Sequence, residues 1–213
     1  MNDGSIPDDL SAYLDAIVPP RPPALAAMEK EAEKTGFPIV GPSSGQFCYL
    51  VARAIGARRI FELGSGFGYS TAWLARAAVE NGGGVVHHTV RDEALSFRAK
   101  RELAALGYAD SVHFHVGEAV ALLEAEEPGF DLIFNDIDKD EYPSSFRVIA
   151  EKLRPGGVLL VDNMLWHARV LDPADRSSST ESVRSLTRLV TGDPGWIASV
   201  VPIRDGILVA YKV

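Results

Sequence analysis

From residue 58 onward, short apolar runs alternate with amphipathic stretches. Residues 58–63 (RRIFEL), 85–90, 112–116, 130–134 and 158–161 are compact runs rich in aliphatic and aromatic side chains, and they predict strands. The stretches between them, at 69–80, 92–106, 118–125 and 140–153, predict helices. Leu95, Ala99, Leu103 and Leu106 share one face of the second, and Tyr142, Phe146, Ile149 and Leu153 share one face of the fourth. The strand at 158–161 follows a Pro-Gly-Gly turn at 155–157. Strands joined through helices lie parallel, because a parallel pair needs a crossover, so the pattern predicts a parallel sheet with helices on both faces. The last third differs. After a helix at 180–191, residues 198–203 and 207–212 read as two strands joined near Asp205-Gly206, an antiparallel finish.

The first third carries no strand pattern. A short amphipathic helix is predicted within 1–18, with Leu10, Leu14 and Ile17 or Val18 on one face. Pro19, Pro20, Pro22 and Pro23 end it as a stiff spacer. A second helix at about 24–35 stops at Gly36, and a third at about 44–55 starts with Ser43 or Ser44 as its cap. The chain reads as a single domain over 1–213, a helical extension at 1–40 ahead of an α/β core at 58–213.

Composition narrows the classes. The 213 residues are 46% hydrophobic and 23% charged, which fits a folded core and excludes wholesale disorder. One cysteine, Cys48, leaves no internal disulfide and no cysteine-based zinc site. The net charge of -8 disfavours nucleic acid and anionic membranes as partners. No apolar run reaches the roughly 18 residues of a membrane span. The N-terminus MNDGSIPDDL lacks the basic and apolar regions of a signal peptide, so a soluble, cytoplasmic protein is expected.

Two places carry chemistry. Residues 61–70 read FELGSGFGYS, with Gly64, Gly66 and Gly68 after a strand and before a helix, where an open α/β sheet binds a nucleotide. The third glycine comes one residue too early for the dinucleotide fingerprint G-x-G-x-x-G. Glu62 would repel a pyrophosphate and attract an ammonium group, while Tyr69 and Ser70 suit a carboxylate. Together these describe an amino-acid moiety such as that of S-adenosylmethionine (SAM). The plainer reading is a glycine turn used for tight packing. The second place is the pair of adjacent strand ends FNDIDKDEY (134–142) and VDNMLW (161–166). Asp136, Asp162 and Asn163 offer hard oxygen ligands suited to Mg2+. Carboxylates there equally cap turns. Lys139 is a candidate general base beside such an ion, or a solvent-facing lysine at a helix start.

With these motifs in order, the chain resembles the cation-dependent class I O-methyltransferases, the group of the caffeoyl-CoA and catechol O-methyltransferases and their small bacterial relatives. The carriers are ELGSGFGYS at 62–70, DIDKDEY at 136–142, LRPGG at 153–157, DNMLW at 162–166 and PIRDG at 202–206. The resemblance implies a Rossmann-like fold with a mostly parallel seven-stranded sheet and an antiparallel C-terminal pair. It implies Asp136, Asp162 and Asn163 as metal ligands and Lys139 as catalytic base. It places Glu62, Gly64, Tyr69 and Ser70 at the methionine part of SAM, Val40 and Gly66 in the cofactor pocket, Glu118 and Ala119 near the adenine, and Asp136 and Asp138 beside the cofactor. The implied reaction is direct methyl transfer to a catechol-like small aromatic chelated by Mg2+, with Trp166 as a pocket wall or a packing residue, and a homodimer is common in the family.

The sequence departs from the family at three points. Thr89 stands where the family carries the ribose-binding glutamate, and it cannot chelate both hydroxyls; weaker cofactor binding is expected. Asn135 replaces an apolar residue and Ala168 a glycine. His87 and His88 read as strand residues facing opposite sides. Three other readings are carried forward. A transfer-RNA hydroxyuridine O-methyltransferase would use a basic patch at Arg53, Arg58 and Arg59. A non-catalytic cofactor-binding protein is motivated by Thr89, and an NADP-dependent oxidoreductase by Arg91.

Overall fold

A computed structural model describes residues 8–213; the beginning of the first expected helix, residues 1–7, lies outside them. Three helices lead: α1 (Asp8–Ala16), α2 (Pro23–Thr35) and α3 (Gly41–Ala54). The core then alternates as β1 (Arg59–Leu63), α4 (Tyr69–Glu80), β2 (Val85–Val90), α5 (Glu93–Ala105), β3 (Val112–Val116), α6 (Ala119–Ala125), β4 (Phe130–Asn135), α7 (Tyr142–Lys152) and β5 (Leu153–Val161). It ends with α8 (Ser178–Gly192), β6 (Trp196–Val201) and β7 (Ile207–Lys212).

The seven strands form one sheet in the order β3-β2-β1-β4-β5-β7-β6. Strands β1 to β5 run parallel, and β7 is antiparallel to both β5 and β6. The chain steps outward from β1 to β2 and β3, then returns to place β4 beside β1. That reversal opens a crevice at the carboxyl ends of β1 and β4, where open α/β sheets take their ligands. One face of the sheet is covered by α2 to α5, around Met28, Trp73, Leu74 and Leu103. The other is covered by α6, α7 and α8, around Tyr142, Ile149, Val183 and Leu186.

Three details differ from the sequence reading. Helix α3 begins at Gly41, so Ser43 and Ser44 lie inside it. The cap is supplied from α1, where Asp15 Oδ1 accepts a hydrogen bond from Ser43 N at 3.0 Å. The Pro-Gly-Gly segment lies within β5 as an irregularity: Phe130 pairs with Leu153, but Leu132 pairs with Val158. In α1 the expected apolar face is largely uncovered, since Leu10 and Ile17 are exposed and only Val18 beyond the helix is buried.

Candidate active site

The crevice at the β1–β4 switch point is a cleft of about 1760 Å3. Its floor is the glycine loop after β1. Gly64, Gly66 and Gly68 all have positive φ, of 86°, 50° and 93°, a region L side chains rarely adopt. At Gly64 a side chain is also blocked in space: an added Cβ would stand 2.5 Å from the carbonyl oxygen of Asp136. The loops after β1 and β4 therefore touch backbone to backbone, and Asp136 N donates to Leu63 O at 2.9 Å. Gly64→Ala should destabilise the fold by about 1–3 kcal/mol through overpacking. For a chain of this size that lowers Tm by roughly 2–4 °C per kcal/mol, measurable by calorimetry.

Helix α4 starts directly after the loop, and no side chain caps it. Its first N–H groups face the cleft, where Tyr69 and Ser70 also lie. An anionic group is favoured there. The Tyr69 hydroxyl is already engaged, donating to Glu29 Oε1 at 2.9 Å, and Glu29 is held by Arg21. This ties α2 to the start of α4. Val40, at the entry to α3, also lines the cleft.

Glu62 lies behind the loop and not on the cleft wall. Strand alternation turns it to the face covered by α4, where it is fully buried and Thr71 donates to its Oε2. Its Oε1 has no partner. Burial pushes its carboxyl above the usual range, against the Thr71 bond and the nearby Ser70 and Ser65 hydroxyls, which favour the charged form. A buried carboxylate oxygen without a donor is costly, and it suits a cationic donor arriving through the loop.

The far wall comes from the ends of β4 and β5. Lys139 is almost enclosed and donates from Nζ to Asp136 Oδ1 at 2.9 Å and to Ile137 O at 3.1 Å. Its ammonium lies 4.9 Å from the Tyr142 ring centroid and 5.9 Å from that of Trp166. Asp162 is buried, and burial with the neighbouring Asp136 charge pushes its carboxyl up to about 7. Asn163 has φ 56° and donates from Nδ2 to Asp205 Oδ2 at 3.2 Å. With the amide nitrogen turned to Asp205, the amide oxygen is left for a cation. Asp205 was missed in the sequence because Asp-Gly reads first as a turn. Here its Oδ1 also accepts from His167 N at 2.6 Å.

Residues 163 and 166–168 form a strained corner. Asn163, Trp166, His167 and Ala168 all have positive φ, so Ala168 keeps the left-handed backbone that a glycine would relax. Trp166 lines the cleft with its Nε1 buried and unpartnered. Asn135 is buried and satisfied, donating to Ser145 Oγ at 3.1 Å.

At the nucleotide end, Thr89 is buried and turned back on the loop. Its hydroxyl donates to Glu62 O at 2.7 Å, and Gly64 N donates to it at 3.4 Å. Asp92, two residues past the end of β2, caps α5 by accepting from Ala94 N and Leu95 N. Arg91 is held among Glu118, Asp138 and Glu141 at 2.5, 3.2 and 2.5 Å. Ala119 and Asp138 line the cleft; Glu118 stands just outside it, and the exposed Arg91 pair sets its direction. Ten Asp or Glu and three Lys or Arg line the whole cleft, an environment for cations and not for free phosphates.

Comparison with known proteins identifies the family of this fold. Residues 20–213 match the O-methyltransferase family. A catechol O-methyltransferase of Mycobacterium tuberculosis is 33% identical over 198 residues, covering 92% of this chain and 89% of that protein. A catechol O-methyltransferase of Niastella koreensis is 27% identical, covering 91% and 90%. An O-methyltransferase of Bacillus cereus, solved with SAH, superposes with a TM-score of 0.86 at 27% identity, covering 96% of this chain and 97% of that one. An O-methyltransferase of Streptomyces achromogenes involved in tomaymycin synthesis, solved with SAM, gives 0.85 at 28% identity and 96% coverage of each chain. Among the described residues no helix is long and apolar enough to cross a membrane. A glycine-floored cleft at the switch point, closed by an oxygen-rich wall, thus sits on the fold and sequence of one family: the chain belongs to the O-methyltransferases.

Proposed function

We propose that the protein is a SAM-dependent and divalent-cation-dependent O-methyltransferase that acts on one hydroxyl of a small vicinal diol on an aromatic ring. The observation that carries this reading is the convergence of Asp136, Asp162, Asn163 and Lys139 on one wall of the cleft, facing the glycine loop.

The donor set fits the cation. Three hard oxygen donors and a nearby Asp205 leave an excess of negative charge that Lys139 alone does not balance. The loop fits the cofactor: Gly64 and Gly66 open the backbone, the α4 N-terminus faces a carboxylate, and the unpartnered Glu62 oxygen suits an ammonium. When bound, SAM supplies the methyl group and the cation supplies charge that acidifies an adjacent hydroxyl. Lys139 would take the hydroxyl proton as the neutral amine, from an Nζ anchored beside the Asp136 carboxylate and flanked by two rings. Trp166 offers an apolar wall for a flat acceptor. Holding donor and acceptor together in one cleft supplies much of the acceleration.

The arrangement speaks against the other readings. Arg58 and Arg59 lie at the amino end of β1, away from the cleft, and their guanidinium groups bind backbone carbonyls; Arg53 bonds Asn81 and Glu80. No basic face is therefore presented to RNA at the site. Arg91 is neutralised by three carboxylates, which leaves it poorly suited to a 2′-phosphate. Methyl transfer from SAM to a catechol in the presence of Mg2+ tests the proposal. Activity that disappears with a chelator and returns with Mg2+ supports it, and activity indifferent to chelation overturns it.

The ribose end yields a separate prediction. Among the residues at the end of β2, Thr89 is committed to backbone and Asp92 to its helix, so no free carboxylate meets the ribose hydroxyls. Thr89→Glu should tighten SAM binding about tenfold or more, the value of charge-assisted hydrogen bonds to a diol. Unchanged or weaker binding by titration calorimetry would refute the role assigned to this position.

A further inference from the structure

A second cluster of ligating side chains lies apart from the cleft, on the sheet face that carries α6. His87 on β2 and His115 on β3 stand on the same face of neighbouring strands, with their rings parallel. Glu126, at the end of α6, reaches the same point. His87 Nδ1 is 3.2 Å from His115 Nε2 and 3.4 Å from Glu126 Oε1, and one ligating atom from each residue lies within 4.8 Å of the other two. None of these residues lines the cleft.

His115 Nε2 lies within hydrogen-bonding distance of His87 Nδ1, and Glu126 Oε1 competes for the same His87 nitrogen. A single proton on His87 Nδ1 serves one neighbour and leaves the other facing it imperfectly. If His115 supplies the proton instead, the Nδ1 lone pair faces the Glu126 carboxylate. A cation between the three atoms removes the conflict, because each then presents a lone pair to it. The spacing agrees: zinc bonds of about 2.0–2.1 Å in a tetrahedral shell put neighbouring ligand atoms about 3.3 Å apart. Two imidazole nitrogens and one carboxylate oxygen favour a borderline ion such as Zn2+ over Mg2+.

The surroundings hold the ligands in place. His87 is buried, stacked on Phe61 and edge-on to Phe130. Arg59 Nη2 lies 3.7 Å from Glu126 Oε2, which turns the other carboxylate oxygen, Oε1, toward His87. That positive charge opposes a cation at longer range while orienting its ligand. His113, on β3, is exposed with its ring centroid 5.2 Å from that of His87, near enough to guide an ion in. Half-burial of His115 and Glu126 leaves the fourth position to water.

We propose that His87, His115 and Glu126 form a binding site for a single Zn2+ ion, separate from the methyl-transfer site and pinning β2, β3 and α6 together. The test is titration of ZnCl2 into the full chain carrying Asp136→Asn and Asp162→Asn, which removes the oxygen-rich site as a competitor. One equivalent of Zn2+ should bind and raise Tm, and Co2+ should give the intense visible absorption of a four-coordinate ion. His115→Ala and Glu126→Gln, each added to that background, should weaken Zn2+ binding tenfold or more. Glu126→Gln is half-exposed and conservative, so it reads the site even where His115→Ala folds poorly. No stoichiometric binding, or binding unchanged by both substitutions, overturns the proposal. Neither result bears on methyl transfer with Mg2+, which is measured separately.

Discussion

Lys139→Met should lower kcat for methyl transfer by about 100- to 10,000-fold, the usual contribution of a positioned general base. The expectation rests on its placement. Its Nζ is fixed by Asp136 and the Ile137 carbonyl and nearly closed off from water by Tyr142 and Trp166. Lys139→Arg should be nearly as inactive, although it keeps the charge, because a guanidinium does not give up its proton in a protein. That comparison separates proton transfer from simple charge balance. Binding of S-adenosylhomocysteine, followed by calorimetry, should change little in either variant, since the glycine loop is untouched. Retention of more than a tenth of kcat in Lys139→Met would remove the lysine from the chemistry.

Asp162→Asn should have an equally large effect through a different route. The side chain is buried beside Asp136 and Asp205, so in the absence of a cation its charge is a repulsion. Substitution should abolish the rise in Tm that Mg2+ gives the parent chain and reduce activity more than about 100-fold. The metal-free variant should nevertheless melt no lower than the metal-free parent, because a like charge has been taken from a buried cluster. Opposite signs in the two measurements mark a ligand and exclude a merely structural aspartate. A metal-free Tm several degrees below the parent would show that Asp162 holds the fold and not an ion.

The strands and the order of elements were legible in the sequence because each buried strand is a short apolar run bounded by turn residues. The candidate site was legible for a related reason: sheet topology sends the ends of β1, β4 and β5 to one edge, so motifs far apart in the chain converge. What could not be read was contact between distant segments. Asp15 caps α3 from 28 residues away, and no local pattern marks it; Ser43 and Ser44 were the natural choice. Glu62 was placed in the cleft by its charge, whereas strand alternation turns it behind the loop. Arg91 gives no sign in sequence of the three carboxylates around it, which come from segments 27 to 50 residues away. The left-handed corner at Asn163 and 166–168 was equally hidden, since only the asparagine is a residue that favours such a backbone. His87 and His88 were read correctly as facing opposite sides, but the partners waiting for His87 on β3 and after α6 depend on register and helix length.

The most direct test of the central claim is a crystal structure of the chain with S-adenosylhomocysteine and Mn2+, read by anomalous scattering. The account predicts one strong peak coordinated by Asp136, Asp162 and Asn163, with the cofactor's ammonium and carboxylate over the Gly64–Ser70 segment and no protein carboxylate on its ribose. A map with no peak at those three residues, with the cofactor bound, would contradict it.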